Sequence, residues 1–190
     1  MVISTRYVVG METHPFIREL IIRLARLESA SGWKGDLNPA QRSALSYLGR
    51  ANKFSRSPSH VADYLGTTRG TTSQSLKALE RKGYLFEEQS ETDRRSIIYS
   101  LTERGIAEHD EISLLDLSLS TLSSGDQKEL GKALQSILHK VVEKNDGRPF
   151  GLCKECIHHK TANQGRFCTL LSQPLDPDEA EQICSEQEPL

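Results

Sequence analysis

A mainly α-helical fold carrying one small β-hairpin is predicted by three features of residues 57–101, SPSHVADYLGTTRGTTSQSLKALERKGYLFEEQSETDRRSIIYSL. First, Ser57-Pro58 pairs a helix cap with a first-turn proline, and Gly66 closes the short helix that follows. Second, Thr68 is placed to cap another helix running to about Lys82 and closed by Gly83. Third, Tyr84-Leu85-Phe86 and the run from Ser96 to Leu101 read as two strands. They are joined by Gln89-Ser90-Glu91-Thr92-Asp93-Arg94-Arg95, a polar tip with adjacent arginines.

Helix, turn, helix and hairpin in this order form the layout of a winged helix-turn-helix, which sets one helix in the DNA major groove. In the second helix, Thr72, Leu76 and Leu79 are the expected buried positions. Its other face carries Thr71, Ser73, Gln74, Lys77 and Arg81. A helix built only for solvent would favour Glu and Lys over so many poorer helix formers. Short hydroxyl and amide groups suit close approach to phosphates and base edges instead. Arg69 at the start of the helix and Arg94 and Arg95 at the hairpin tip add cationic partners for the backbone. Arginine at such a tip gains from the negative potential of a narrow minor groove, and Asp93 is expected to orient Arg95.

The flanking segments read as helices with apolar stripes. Pro15 opens a helix in which Phe16, Leu20, Leu24 and Leu27 recur at helical spacing, with Ile17 and Ile21 beside them. Asn38-Pro39 starts another, buried through Ala44, Leu45, Leu48 and Ala51. Thr102 is expected to cap one long helix holding Ile106, Ile112, Leu115, Leu119 and Leu122. After Ser123-Ser124-Gly125, a further helix carries Leu130, Leu134, Ile137, Leu138 and Val141. Long leucine-rich helices outside a compact winged motif need a partner, and a symmetric dimer supplies one. Residues 1–13 carry little pattern and are expected to form an extended arm.

Bulk composition fits a packed chain: of 190 residues, 36% are hydrophobic and 26% charged. The net charge of −2 does not by itself suggest a nucleic-acid binder, but its distribution does. Residues 42–104 hold 11 Lys and Arg against 7 Asp and Glu, a net +4. Residues 146–190 hold 4 against 8, a net −4. No apolar run reaches the length of a membrane span, and MVISTRYVVGMETHP lacks the pattern of a signal peptide, so a cytoplasmic location is expected. The sequence contains no Gly-rich phosphate loop, nucleophile elbow or zinc-protease histidine pair, so no enzymatic activity is expected.

All four cysteines lie near the C-terminus, beyond the break at Asn145-Asp146-Gly147-Arg148-Pro149. Their order is Cys153-x2-Cys156, eleven residues, Cys168, fifteen residues, Cys184. A Cys-x2-Cys pair can place two thiolates on one ion while the backbone turns around it, and two more complete a four-sulfur set. Tetrahedral zinc and an iron–sulfur cluster both suit such a set. His158 and His159 are alternative ligands. A segment under fifty residues with few large apolar side chains needs such a staple, and metal binding would stabilise it. Two domains are expected: residues 1–146 for DNA binding and dimerisation, with 38–101 as the DNA-reading part, and 147–190 as a Cys-rich metal-binding extension.

Across residues 15–144 the order of elements resembles the MarR family of bacterial transcription regulators. Leu79-Glu80-Arg81-Lys82-Gly83-Tyr84-Leu85 is similar to the family's recognition-helix exit. Asp93-Arg94-Arg95 followed by Leu101-Thr102-Glu103-Arg104-Gly105 is similar to its wing and the entry to its dimerisation helix. The resemblance implies a homodimer on a pseudopalindromic double-stranded DNA operator, acting as a repressor. Thr71, Ser73, Gln74 and Lys77 match its recognition face, and Asp93 and Arg95 its wing pair. The chain departs from the family at Gln74, commonly arginine, and at Ser75, usually bulky and apolar. Glutamine pairs with adenine where arginine favours guanine, so the departure bears on which operator is read.

The resemblance also implies relief of repression by a small phenolic inducer or by thiol oxidation. No cysteine precedes Cys153, which excludes the family's N-terminal thiol switch, and the sequence itself marks no phenolic pocket. The expected function is therefore a DNA-binding regulator whose four-cysteine centre senses redox state or metal. The alternatives are a phenol-responsive regulator with purely structural zinc, and a protein-interaction adaptor that does not bind DNA.

Overall fold

The computed structural model describes residues 13–31, 35–90, 96–162 and 165–189. Four helices come first: α1 (Thr13–Ser31), α2 (Pro39–Arg50), α3 (Pro58–Leu65) and α4 (Arg69–Arg81). An antiparallel hairpin follows, β1 (Leu85–Gln89) and β2 (Ile97–Leu101), with Leu85 opposite Leu101 and Gln89 opposite Ile97. Helices α5 (Glu103–His109), α6 (Leu114–Leu119) and α7 (Ser124–Lys144) lead to a C-terminal region of short strands. In that region β3 (Gly151–Leu152) pairs with β7 (Ile183–Cys184). Strands β4 (His159–Ala162), β5 (Gly165–Cys168) and β6 (Gln173–Leu175) form a three-stranded antiparallel sheet. The expected N-terminal arm falls on residues 1–12, outside the described residues; Thr13 already belongs to α1.

The cap signals form the helix starts they predict. Asn38 Oδ1 accepts the Gln41 N–H at 2.9 Å, and the Gln41 side chain accepts the Asn38 N–H, a reciprocal capping box ahead of Pro39. Ser57 and Thr68 cap α3 and α4 through the N–H groups of His60 and Thr71. Gly66 ends α3 at φ +62°, a left-handed conformation that a Cβ would oppose.

One core joins these elements. Leu45, Tyr47 and Leu48 of α2, Val61 of α3, Leu76 and Leu79 of α4, and Leu85 and Tyr99 of the hairpin are all buried together. Full burial of each such leucine contributes roughly 1.5–3 kcal/mol, enough to dock α4 firmly by one face. Gly105, in the first turn of α5, lets that helix pass against the start of β1. A Cβ there would lie 2.2 Å from the Tyr84 carbonyl oxygen.

The single long helix expected from Thr102 to beyond Leu119 is instead two helices. Asp110 ends α5, and Ser113 starts α6 with a second capping box. Its hydroxyl accepts the Asp116 N–H while Asp116 accepts the Ser113 N–H. A local serine–aspartate pair thus supplies a fresh helix start that a count of apolar residues passes over. No residue of α6 or α7 is buried, and Leu117, Leu130, Leu134 and Ile137 are exposed. In α1, Phe16, Ile17, Leu20, Ile21, Leu24 and Leu27 are exposed as well.

The C-terminal region shares the main core. Ile183 of β7 is buried within it, 5% exposed, and bridges to Ala51. Phe150 meets Tyr64 and Tyr47 edge-on at ring-centre distances of 5.2 and 6.0 Å. Arg148 pairs with Asp63 of α3 and with Glu186. Among the described residues, no helix is long and apolar enough to cross a membrane.

Candidate nucleic-acid interface and thiol cluster

Helix α4 presents two chemically distinct faces because its apolar residues recur at helical spacing. Thr72, Leu76 and Leu79 are buried, as the sequence predicts. On the opposite side Gln74, Lys77 and Arg81 are exposed and Ser73 half-buried, forming a polar and cationic strip along the helix. Arg69 and Thr71 are exposed at its N-terminal end. The Thr71 hydroxyl lies 2.9 Å from that of the cap residue Thr68, so it is engaged in holding the helix start as well as facing solvent. Arg81, which the sequence also places on this face, extends the strip by one turn beyond Lys77.

The hairpin rises from the end of α4. The Tyr99 hydroxyl donates to Glu87 at 2.9 Å and Ser100 Oγ donates to Glu88 at 2.6 Å, cross-links that fix the strand pair. The Ser90 N–H donates to the Ser96 carbonyl at 2.9 Å and closes the described part of the hairpin. Asp93, Arg94 and Arg95 lie outside the described residues, so only the base of the predicted wing is on view.

At the base of the winged lobe, Tyr84, Asp36 and Arg104 form a triad. The Tyr84 hydroxyl donates to Asp36 at 2.6 Å, and the Arg104 guanidinium stacks 4.1 Å from the Tyr84 ring centre. That hydrogen bond, reinforced by Arg104 and Lys82, holds the Asp36 carboxyl below its ordinary range. The triad ties the entry to α2 to the start of α5. A cleft of about 320 Å³ lies between α1, α2, α5 and α6, lined by Glu28, Arg42, Leu45, Glu108, His109 and Ile112 among others.

The four cysteines all lie in the C-terminal region, all buried and none in a disulfide. Cys153 and Cys156 bracket a 3-10 turn, Cys153–Glu155, in which the Cys156 N–H donates to the Cys153 carbonyl at 3.2 Å. Cys168 ends β5 and Cys184 ends β7. Cys153, Cys168 and Cys184 pack with Leu175 in one buried cluster, and Phe54 of the winged lobe covers it. Burial, then the charges that Cys184, Cys168 and Cys156 would carry, push the Cys153 thiol up to about 12. Burial likewise raises Cys184, opposed by the neighbouring Asn52 amide and the Glu186 backbone. The Glu188 N–H points at Cys156 Sγ from 3.5 Å.

Among the described residues, no three or more His, Cys, Asp or Glu side chains are grouped so that they could hold a metal ion. Cys153, Cys168 and Cys184 nevertheless share one buried cluster as free thiols, and Cys156 accepts the Glu188 N–H nearby, so the donor chemistry is that of soft thiol ligands. His158 Nε2 lies 3.2 Å from Glu188; His158 Nε2 and His159 Nε2 are both buried without a hydrogen bond, and the His159 backbone sits opposite Cys168. Asn52 and Ser55, which touch the thiol region from the winged lobe, carry no signal of that role in the sequence. Their partners are about 130 residues away along the chain.

Taken together, the shared core, the two-faced α4 and the hairpin define a winged helix-turn-helix protein. A model of the MarR family matches residues 35–96. The chain is 31% identical over 130 residues to the uncharacterized HTH-type transcriptional regulator YfiV of Bacillus subtilis, covering 65% of this chain and 79% of that protein. It belongs to the MarR family. It is also 37% identical over 79 residues to the organic hydroperoxide resistance transcriptional regulator of the same organism, covering 40% of this chain. That match spans only about half, 54%, of the hydroperoxide regulator's length. Among solved structures, a MarR transcriptional regulator from Methanosarcina mazei Go1 superposes with a TM-score of 0.54 at 24% identity, covering 68% of this chain and 98% of that one. The Staphylococcus aureus MepR–DNA complex superposes with a TM-score of 0.53 at 20% identity, covering 70% and 99%. These likenesses show a common fold.

Proposed function

We propose that this chain is a sequence-specific DNA-binding regulator of transcription, a repressor, working as a homodimer on a pseudopalindromic operator. The observation that carries the reading is α4: one face is docked into the core and the opposite face offers Ser73, Gln74, Lys77 and Arg81. That face suits entry into a major groove, with Gln74 and Ser73 toward base edges and Lys77, Arg81 and Arg69 toward phosphates. Asp93, Arg94 and Arg95 would reach the adjacent minor groove from the hairpin tip. The MepR structure cited above is a DNA complex, which supports the same use of the fold. The exposed apolar faces of α1, α6 and α7 are what a second copy would cover.

Cys153, Cys156, Cys168 and Cys184 are proposed to hold zinc or an iron–sulfur cluster. Such a centre would supply fold stability, and in the iron–sulfur case redox sensitivity as well. A signal read there would be redox state or metal supply. The shared core around Ile183 favours a second reading as well, in which structural zinc only braces the winged lobe.

Two experiments test these readings. Selection from randomised duplexes, followed by footprinting, is expected to return a two-fold symmetric site protected by a dimer. Failure to enrich any duplex would overturn the DNA-binding reading and favour a protein-interaction adaptor. Metal and sulfide analysis of anaerobically purified protein separates the centres. A colourless protein with one zinc per chain supports structural zinc, iron with sulfide supports the sensor, and absence of both overturns the metal reading.

A further inference from the structure

We propose that Asn52, in the connection between α2 and α3, is a positioning residue for the thiol centre and couples it to the DNA-reading lobe. This rests on reading the four thiols as a metal centre. The side chain of Asn52 is fully buried, and its Nδ2 makes no completed hydrogen bond. Its orientation is determined by its neighbours. Ser55 Oγ accepts the Ser185 N–H at 2.8 Å and gives its own proton to Asn52 Oδ1 at 2.7 Å. The oxygen end of the amide is thereby used, and its N–H end is left unpartnered beside β7, where Asn52 and Ser55 bond the residues on either side of Cys184.

A thiol is a weak acceptor, so a buried N–H directed at one is poorly satisfied. A thiolate bound to metal carries charge and accepts such a bond well. The orphaned amide is therefore complementary to the metal-bound state of Cys184. N–H groups of this kind orient metal ligands, and their loss typically weakens metal binding.

The same residue belongs to the winged lobe. The Asn52 N–H donates to the Ile183 carbonyl at 2.9 Å, next to Cys184 in β7. The 3-10 turn Lys53–Ser55 follows directly, with Lys53 paired to buried Glu179 at 3.3 Å and Phe54 lying on the thiol cluster. Beyond it, the Arg56 carbonyl accepts the Tyr99 N–H of β2 at 3.1 Å. Hydrogen bonds thus tie Asn52 and Ser55 to the residues flanking Cys184, and the adjoining Arg56 to the hairpin. Residues 51–56 also lead directly into α3, which packs on α4.

The test is Co²⁺ titration of the reduced full-length chain, wild type against Asn52→Ala, with hydrogen exchange read at residues 51–56 and at the Tyr99 amide. The wild type is expected to show thiolate-to-cobalt absorption and to gain protection at both places on binding. Asn52→Ala is expected to bind roughly 10–100-fold more weakly, with a shifted thiolate-to-cobalt band and no gain of protection at Tyr99. Equal affinity and an identical spectrum in the variant would overturn the role of Asn52 and leave the metal reading standing. A wild type that binds no Co²⁺ would overturn both. If Asn52→Ala does not fold, the wild type decides alone: Co²⁺ binding without a change in exchange at 51–56 overturns the coupling.

Discussion

The carbonyl of Ile183 accepts the backbone N–H of Asn52 at 2.9 Å, and the Ile183 side chain sits in the core built by α2, α3 and α4. A cysteine-bearing extension that merely hung from α7 would make neither contact. Its removal should therefore be felt by the winged lobe. Ile183→Ala is expected to cost about 2–5 kcal/mol of global stability, the range for large-to-small change in a packed core. Urea unfolding followed by far-UV circular dichroism checks this. Two separate transitions, with the winged lobe unaffected, would show the regions to be energetically independent.

On α4, substitutions should sort by what each side chain does on DNA. Lys77→Ala and Arg81→Ala are expected to weaken binding to all duplexes and to lower the salt slope by about one each. Gln74→Ala is expected to cost about 1–3 kcal/mol on the selected site and to relax preference at one base pair. Anisotropy titrations over a series of salt concentrations, on the selected and a scrambled duplex, distinguish the two behaviours.

Gly105 tests the contact between α5 and the hairpin. A Cβ there would press on the Tyr84 carbonyl, which is backbone and cannot rotate away. Gly105→Ala is expected to destabilise the fold by about 1–3 kcal/mol, although alanine is the better helix former. A rise in melting temperature would show that this approach is relieved cheaply.

His60 gives the winged lobe a defined response to acid. Burial first, then nearby Arg148, holds its imidazole below the ordinary value. The folded-state pKa is thus lower than the unfolded one, so on acidification the unfolded chain takes up the proton first. Stability attributable to His60 is complete above about pH 6.5 and is lost as the pH falls through and below it. Urea midpoints between about pH 7.5 and about pH 5.5 should fall less for His60→Gln than for the wild type. Parallel curves would remove His60 as a cause.

Much of this fold is legible in the sequence because its signals are local. Asn38-Pro39, Ser57-Pro58, Gly66 and Thr68 each act within one helical turn, and each does so in the folded chain. The buried trio Thr72, Leu76 and Leu79 follows from the helical repeat, and the exposed strip follows by elimination. Two features resist such a reading. The break between α5 and α6 depends on Ser113 and Asp116 outcompeting helix continuation, a balance that apolar spacing does not report. The contact of Asn52 and Ser55 with the segment around Cys184 joins positions distant in sequence through backbone groups and one buried amide, which leave no pattern in composition. The cysteines themselves were evident, but not that they lie against the DNA-reading lobe.

The most direct measurement compares operator affinity of the full-length reduced chain with its thiol centre loaded and with the metal removed by chelation. Both titrations use the selected duplex at one salt concentration. Coupling through Asn52 and residues 51–56 predicts affinities that differ roughly 5- to 150-fold, the usual span of allosteric coupling. Superimposable isotherms, with metal occupancy verified in one and absent in the other, would contradict the account.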